Sequence, residues 1–406
     1  MSNSPASSAS SATAYGDEFY QLPQICPPPT QKAVVTFQVT STLNLAVATI
    51  PVRQPLPTEI IVRVCYSGIC RSDATFSKGP LPGYPSVDHI AGHEGIGQIV
   101  KACDSGLLGR FVGLRYLGST CRHCEYCLAC IPTSCPHQKN APKQLSGCFQ
   151  EYLTVETKSV LLIPDEIISR VKQPEILCGA LCSGAAALMA LRAANLAINK
   201  VVVVIGVAGS IGNYTASMAK RIFGAQVIGV DVAWKVEELR RRGFNDYADI
   251  LLAGPSDEGD TNASNLLKNE ILRACGKLRH QHAMTRAADA VIVTASSAAA
   301  FQRVESYVCD GGWIVCSGVP YGMQLSISIH DLVERNIHVT GSLMGGPSIS
   351  LEVMRYICNG QILPMTSFVS LEEIPEQLEL IVEGKTFGKV IAKIQEPIDA
   401  PFMKQR

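Results

Sequence analysis

The pattern of apolar and polar residues changes character near residue 180. Before that point, apolar and polar positions alternate in AVVTFQVT (33–40) and EIIVRVCYSGIC (59–70), which predicts antiparallel strands. Gly and Pro interrupt the chain at short intervals up to about residue 165, which indicates an irregular β domain. After it, continuous apolar runs are separated by helical patterns such as SIGNYTASMAKRIF and WKVEELRRRG. This alternation is typical of a parallel sheet covered on both faces by helices.

The second half of the chain is predicted to contain helices, buried strands and a polar stretch between them. A small-residue helix is predicted over GALCSGAAALMALRAANLAI (179–198), and the polar stretch LAGPSDEGDTNASN (252–265) is interpreted as part of a surface insertion at 254–282. After residue 344 a helix (ISLEVMRYICNG) and a final strand (GKVIAKI) follow without strand–helix alternation, so we expect this part to rejoin the first domain. Buried strands are predicted at VVVVIG (201–206), QVIGVD (226–231), DAVIVTAS (289–296), GGWIVCSG (311–318) and NIHVTGSLM (336–344).

Composition narrows the class of protein. Basic and acidic residues balance at 35 each, so no global field recruits nucleic acid or an anionic membrane. No apolar run reaches the length of a membrane span. Residues 1–31 are Ser/Ala-rich and then Pro-rich, without a basic or strongly apolar segment, and predict a disordered tail rather than a targeting signal. With 16 cysteines and no such signal, a reducing, cytoplasmic location is expected.

Four closely spaced cysteines in CRHCEYCLACIPTSC (121–135) predict a structural metal site. The spacing C-x2-C-x2-C-x7-C suits a closed tetrahedral zinc site, because four thiolates satisfy the ion and leave no open position. Cys130 is a rival for one of these positions, although the x2 spacing disfavours it. The predicted ligands are Cys121, Cys124, Cys127 and Cys135.

A glycine-rich turn in VVVVIGVAGSIGN (201–213) predicts a dinucleotide site. Gly206, Gly209 and Gly212 lie where a strand ends and a helix begins, so the backbone can approach a pyrophosphate and offer it unpaired N–H groups. Asp231 ends the next strand, where a carboxylate accepts hydrogen bonds from an adenosine ribose and repels a 2′-phosphate. This favours NAD over NADP. Lys235 either contacts the ribose or is a solvated lysine at the start of a helix.

Three further candidate ligands are far apart in the sequence: Cys70 in GICRSD, His93 in AGHEG and Cys182 in ALCSG. Two thiolates and one imidazole form a known catalytic zinc set with the fourth position open. Cys178 lies four residues before Cys182, on the same face of the predicted helix, and is a rival ligand. The nearby histidines that we interpret as ordinary surface residues are His89 and His123.

On these motifs the chain resembles the zinc-dependent alcohol dehydrogenases of the medium-chain dehydrogenase/reductase family. The matching segments are GICRSD, GHEG, the four-cysteine lobe, LCSG, the glycine turn with Asp231 and the terminal GKVI strand, and they span about residues 32–395. The resemblance, closest to the microbial tetrameric branch, implies an α/β protein with a GroES-like irregular β catalytic domain and a Rossmann doubly wound parallel sheet. The implied division is a tail (1–31), a catalytic zinc domain (32–183, with the lobe at 121–135), an NAD-binding domain (184–342) and a C-terminal return (343–406).

The resemblance also implies roles for individual residues. Asp73 would orient His93 through its second ring nitrogen. Glu94 would lie beside the metal and ligate it transiently, and Ser72 would hydrogen-bond the substrate alkoxide and carry its proton outward. The catalytic zinc would be held by Cys70, His93 and Cys182. Cofactor contacts would come from Arg71 and Lys389 at the pyrophosphate, and from Gly206, Gly209, Ser210, Ile211, Gly212, Asp231 and Lys235.

The sequence departs from the family pattern at two places. Many relatives carry a histidine five residues after the first zinc cysteine, at the end of a proton relay; this chain has Thr75, which is no base near neutrality. Two positions that carry tryptophan in the small-alcohol branch align with Leu81 and Tyr116. With fewer bulky aromatic side chains than in that branch, the substrate pocket is predicted to be larger and ethanol to be a poor substrate.

The expected activity is reversible hydride transfer between a primary or secondary alcohol and NAD, with two zinc ions per subunit. The expected partners are the alcohol and its aldehyde or ketone and a second copy of the chain, as a homodimer or homotetramer, with no nucleic acid or membrane. The sequence leaves two alternatives. A zinc-independent enone or quinone reductase of the same fold lacks the zinc residues present here. A non-catalytic protein that binds NAD and zinc on the same scaffold is disfavoured by the complete ligand set and by Ser72.

Overall fold

Two large sheets of different construction form the body of the chain. The computed structural model describes residues 26–79, 81–243, 247–255, 261–279, 286–320 and 322–398, so most of the predicted tail lies outside the described residues. The strands are β1 (Thr30–Gln38), β2 (Leu45–Pro51), β3 (Glu59–Ile69), β4 (Val87–His89), β5 (Glu94–Lys101), β6 (Phe111–Arg115), β7 (Leu117–Ser119), β8 (Lys139–Asn140), β9 (Tyr152–Glu156), β10 (Leu161–Leu162), β11 (Val201–Ile205), β12 (Gln226–Val232), β13 (Ile250–Gly254), β14 (Ala288–Val293), β15 (Val308–Cys316), β16 (His338–Gly341), β17 (Thr366–Ser370) and β18 (Lys389–Lys393). The α-helices are α1 (Arg71–Ser77), α2 (Glu125–Leu128), α3 (Asp165–Ile168), α4 (Ser183–Ala193), α5 (Ser210–Arg221), α6 (Ala233–Arg241), α7 (Thr261–Leu278), α8 (Ile329–Glu334), α9 (Pro347–Cys358) and α10 (Ile374–Val382).

The parallel sheet predicted for the second half is confirmed. Its order is β13-β12-β11-β14-β15-β16, and every pairing in it is parallel. Successive residues of β11 alternate between two hydrophobic cores, Val202 and Val204 in one and Val201, Val203 and Ile205 in the other. Both faces of this strand are therefore buried, which explains why its sequence is continuously apolar.

The stretch interpreted as a surface insertion is instead a regular strand–helix unit. Strand β13 pairs in parallel with β12 and forms the edge of the sheet. Helix α7 buries Ile271 and Cys275 completely in the same core as Ile228 and Val230 of β12. The prediction was wrong because the polar run before the helix hid its buried face. Residues 256–260 and 280–285 lie outside the described residues.

The other large sheet has seven strands and centres on β3. Its order is β10-β6-β5-β3-β18-β17, with β9 also paired to β3. The C-terminal β18 runs antiparallel to β3, with Ile391 opposite Gly68. Just before β18, the Gly388 N–H donates to the Ala208 carbonyl at 2.8 Å, inside the glycine-rich turn. The end of the chain thus bridges the two sheets.

The predicted helix over 179–198 is interrupted. A 3₁₀ helix covers Pro174–Leu181, Cys182 has non-helical backbone angles (φ −138°, ψ −74°), and α4 begins only at Ser183. No single helix in the described ranges is long and apolar enough to cross a membrane, whereas the 3₁₀ helix and α4, bent by 50°, pass the same length and composition test as a pair.

We expect Ile391→Ala in β18 to lower the free energy of unfolding by about 2–5 kcal/mol, because the side chain is fully buried and its loss leaves a cavity. Leu363→Ala is the control, since Leu363 is 67% exposed and its truncation is expected to change stability by at most about 0.5 kcal/mol. Urea unfolding of both variants measures the difference. Equal effects would show that β18 is not a structural strand.

Candidate active site and metal centres

The four cysteines of the lobe converge at one point. One sulfur from each of Cys121, Cys124, Cys127 and Cys135 lies within 4.8 Å of the others. Backbone N–H groups point at these sulfurs, with Cys124 N donating to Cys121 Sγ at 3.3 Å. The backbone N–H of His123 is the main cause that lowers the pKa of Cys121 to about 6, which favours a thiolate. This donor set fits a closed zinc site.

The rival cysteine of the lobe lies outside this cluster. Cys130 is exposed and has a left-handed backbone (φ +60°) directly after α2, and it is not among the four sulfurs that converge. The nearby His123 is exposed, as predicted.

A second cluster of potential metal ligands, called here the second metal-binding cluster, joins three distant segments. Cys70 follows β3, His93 directly precedes β5, Glu94 is the first residue of β5, and Cys182 lies between the 3₁₀ helix and α4. One ligand atom from each of these four residues lies within 4.8 Å of the others. A hydrogen bond with Cys182 holds the pKa of Cys70 well below its usual value. Two thiol sulfurs and an imidazole fit the open zinc set predicted from the sequence. Cys178 is not part of the cluster but is completely buried in the core.

Asp73 holds two of the predicted ligands in place. Its Oδ1 lies 2.7 Å from His93 Nδ1 and accepts from Gly92 N–H at 3.0 Å, while Oδ2 accepts from Cys70 N–H at 2.9 Å. The carboxylate is fully buried. Because Asp73 accepts a hydrogen bond from the Nδ1–H of His93, the neutral ring keeps the lone pair of Nε2 free to bind a metal.

Glu94 and Lys389 form a buried ion pair at the edge of this cluster. Glu94 Oε1 lies 4.0 Å from His93 Nε2, and its Oε2 has no partner among the described residues. Burial, opposed by Lys389, raises the pKa of Glu94 to about 7. The Lys389 ammonium also donates to the Ile69 carbonyl at 3.1 Å and to Ser183 Oγ at 3.4 Å. Its three N–H groups therefore all point at protein acceptors, although the resemblance assigns it to a pyrophosphate.

The glycine turn lines a large cleft. Gly206 has φ +87°, and a Cβ on Gly212 would lie 2.0 Å from the Gly206 carbonyl oxygen, so neither position accepts a side chain. Gly209 caps the start of α5. The Ser210 hydroxyl is buried there without a partner among the described residues. This cradle, with an orphaned donor at a helix start, fits a pyrophosphate.

The cleft has a volume of about 460 Å³ and reaches the second metal-binding cluster. Asp231 accepts from the N–H groups of Ala208 and Val232, both at 2.9 Å. Burial raises its pKa, and the nearby ammonium of Lys235 opposes the shift. The predicted residues that line the cleft are Cys70, Arg71, Gly206, Gly209, Ser210, Ile211, Gly212, Asp231, Lys235 and Lys389.

Trp234 lines the cleft and was missed by the sequence analysis. Trp234 on α6 packs edge-on against Phe387 at 5.2 Å between ring centroids, and the Lys235 ammonium lies 5.5 Å from the Trp234 ring. Trp234 is 46% exposed. Its position three residues after Asp231, in the first turn of the helix that follows β12, is the signal that identifies it.

Thr75, which stands where many relatives carry a histidine, and the proposed proton carrier Ser72 lie on the same short helix. Thr75 lies on α1, and its hydroxyl donates to the Arg71 carbonyl at 3.2 Å, within the helix. Ser72, one turn earlier, is half-buried beside the cluster ligand Cys70.

The wall beside His93 is formed by the aromatic rings of Phe76 and Tyr116. Phe76 stacks on Tyr84 at 4.9 Å and on Tyr116 at 5.8 Å, and the Tyr84 and Tyr116 hydroxyls are 2.8 Å apart. Phe76 and Tyr84 were overlooked because only the two positions aligned with tryptophan, Leu81 and Tyr116, were considered. The larger pocket, and with it the poor turnover of ethanol, stays a prediction.

His89 was also misassigned. It ends β4 and is only 6% exposed, and neither ring nitrogen has a partner among the described residues. The prediction of a surface histidine was wrong because pairing of β4 with β1 covers it, with His89 opposite Thr36.

Comparisons with known proteins agree with this geometry. Residues 56–165 match the family "Alcohol dehydrogenase GroES-like domain" and residues 210–357 match "Zinc-binding dehydrogenase". The chain is similar to an alcohol dehydrogenase of Geobacillus stearothermophilus (29% identity, 83% of this chain and 92% of that protein) and to alcohol dehydrogenase 2 of Emericella nidulans (28% identity, 90% and 97%).

Solved structures share the fold. Acetophenone reductase from Geotrichum candidum in complex with NAD superposes with a TM-score of 0.70 at 20% identity, over 91% of this chain and 98% of that one. The cobalt- and zinc-bound alcohol dehydrogenase of Pyrobaculum aerophilum gives a TM-score of 0.73 at 21% identity, over 90% and 100%.

We expect Asp73→Asn to weaken zinc binding at the second metal-binding cluster by about 10–100-fold, because the amide cannot accept the His93 proton as strongly. The lobe cysteines do not contact Asp73, so one zinc per chain should become easy to remove while the other stays. Competition with a chromogenic chelator, read as zinc released per chain, measures this. Glu125→Gln, in the lobe but not a ligand, is the control. Equal release from both sites would contradict the role of Asp73.

Proposed function

This chain belongs to the zinc-dependent alcohol dehydrogenases of the medium-chain dehydrogenase/reductase family, and we propose that it catalyses reversible NAD-linked oxidation of a primary or secondary alcohol to an aldehyde or ketone. One observation carries the proposal. The cleft that contains the glycine turn and Asp231 is also lined by Cys70 of the second metal-binding cluster. A cofactor and a metal-held substrate would therefore meet in the same space.

The residues of the second metal-binding cluster would have separate roles in holding and orienting the metal. When bound, zinc would polarise the substrate oxygen and NAD would accept the hydride. Cys70, His93 and Cys182 would hold the metal, and Asp73 would keep His93 and the Cys70 backbone in the orientation that binding needs. Glu94, kept beside the ligands by Lys389, would ligate the metal transiently.

Cofactor binding would rest on the glycine turn. The backbone of Gly206, Gly209 and Gly212 and the start of α5 at Ser210 and Ile211 would receive the pyrophosphate. The ribose would be held by the residues at the end of β12 and start of α6, Asp231 and Lys235, and Arg71 would reach the phosphates from the opposite wall. Lys389 would act on the cofactor only after leaving its pair with Glu94.

The proton of the alcohol would leave through Ser72. The next hydroxyl along α1, that of Thr75, donates to a helix carbonyl and has no basic nitrogen, so the relay would end in solvent or at the cofactor ribose.

We further propose the division 32–183, 184–342 and 343–406, a cytoplasmic location and a homodimer or homotetramer. Support for self-association comes from apolar side chains left exposed beside the edge strand β16. These are Ile329, Val333, Val339 and Leu343. No specific observation favours a non-catalytic protein on this scaffold.

Purified protein with NAD and a panel of primary, secondary and aromatic alcohols, including ethanol, tests the reaction through NADH absorbance. We expect turnover that chelation abolishes and zinc restores, with Cys70→Ser as the inactive control. The aromatic wall of Phe76, Tyr84 and Tyr116 lies beside His93. The turnover of bulky alcohols in the panel therefore also measures how much space this wall leaves for the substrate. If the protein has both zinc ions bound and turns over none of these alcohols, the proposal is wrong.

We expect Thr75→His to increase alcohol oxidation near neutral pH more than at alkaline pH. A free histidine titrates near pH 6.5 and is neutral above it, so it can accept a proton near neutral pH, where the hydroxyl of Thr75 cannot. The change should therefore flatten the rise of kcat/KM with pH. Thr75→Val, which keeps the shape without a titrating group, is the control. A profile unchanged by histidine would show that the proton leaves by another route.

A further inference from the structure

A second cavity, of about 200 Å³, lies between β6, β7, the cysteine lobe and the start of α9. It shares no lining residue with the cofactor cleft. No Asp or Glu is among the described residues that line it, whereas three cationic side chains are. The polar side chains of its wall are Arg115, Arg122, Lys158, Ser119, Thr120 and Ser159.

Arg115 is a buried cation that forms no salt bridge with a carboxylate of the described residues. Its side chain is only 4% exposed, and Nη2 donates to the Gly345 carbonyl, while Nε and Nη1 have no partner among the described residues. Burial lowers the pKa of Arg115 to about 10, with Cys182 opposing the shift, so the guanidinium still carries its charge at neutral pH. An unpaired buried charge is costly, and such groups are normally paired or hydrogen-bonded.

Ser159 adds an independent unsatisfied group to the same wall. It is 4% exposed, and its hydroxyl has no partner among the described residues. Arg122 is exposed at the rim, and Lys158 is held 3.5 Å from Glu156. Helix α9 begins at Pro347, also in the wall, so the positive end of a twelve-residue helix lies at the cavity.

We propose that this cavity binds a small oxyanion, such as inorganic phosphate or the carboxylate of a metabolite, with Arg115 and Ser159 donating from the wall. Arg122, Lys158 and the start of α9 supply the surrounding positive potential. Guanidinium and hydroxyl donors together match the geometry of phosphate and carboxylate oxygens. The site is distinct from the pyrophosphate cradle at Gly209.

Titration calorimetry of inorganic phosphate into the zinc-loaded protein tests the site. NAD is kept saturating, so that the glycine turn is already filled, and ionic strength is held constant with chloride. We expect one saturable phosphate site per chain. Ser159→Ala should weaken it about tenfold, because it removes one donor to a charged ligand. Since that hydroxyl has no protein partner, the unfolding temperature without phosphate should not fall.

Two further variants separate this site from general charge effects. Arg115→Met should abolish phosphate binding, and Lys172→Met, an exposed lysine outside the cavity, should leave it unchanged. A titration with citrate identifies the class of natural ligand. If phosphate binds more tightly than citrate, the ligand is free phosphate. If citrate binds more tightly than phosphate, the ligand is a carboxylated metabolite.

Two results would overturn the proposal: no saturable binding of either anion with NAD present, or equal binding by wild type, Arg115→Met and Ser159→Ala. Either result would mean that an internal water satisfies the two side chains, which also line a pocket of about 10 Å³ large enough for one water. Because binding is read without turnover, failure here leaves the alcohol dehydrogenase activity untouched.

Discussion

The buried carboxylate of Asp73 is the interaction on which the active site depends. It accepts hydrogen bonds from the Cys70 backbone, the Gly92 backbone and the His93 ring, and so it ties the start of α1 to the turn before β5. A fully buried carboxylate is stable only when its oxygens are satisfied in this way. Two proposed zinc ligands are therefore fixed by one group before any metal binds, which reduces the ordering that binding requires.

The C-terminal strand β18 links the glycine turn to the metal-binding cluster. Strand β18 pairs with β3, which delivers Cys70, and the residue before it bonds to the glycine turn that begins the cofactor site. Lys389, the first residue of β18, compensates Glu94 within the metal-binding cluster. Cofactor turn, metal ligands and C-terminal strand are thus mutually dependent, although hundreds of residues separate them in sequence. The cleft between the two sheets is where a hydride would pass from substrate to NAD.

Features with a local cause were predictable from the sequence. The cysteine lobe is one, because its four sulfurs are close along the chain and a short turn is enough to gather them. The turn at Gly206 is another, since a buried strand followed by closely spaced glycines leaves few other conformations. Strand β11 is a third, because burial on both faces requires an uninterrupted apolar run. The family and its fold class follow from these motifs taken together.

The errors and omissions share a different cause. Helix α7 was hidden by a polar run, His89 is covered by a strand distant in sequence, and the ring cluster of Phe76, Tyr84 and Tyr116 forms from three separate segments. Arg115 was not singled out from the sequence, and it is buried with its Nη2 donating to the carbonyl of Gly345, more than 200 residues away along the chain. The sequence alone determined the residue types, the local turns and the candidate ligands, since spacing and backbone sterics decide these. Only the tertiary structure decided which polar groups are buried together and which lack a partner, because that depends on contacts between segments far apart in the chain.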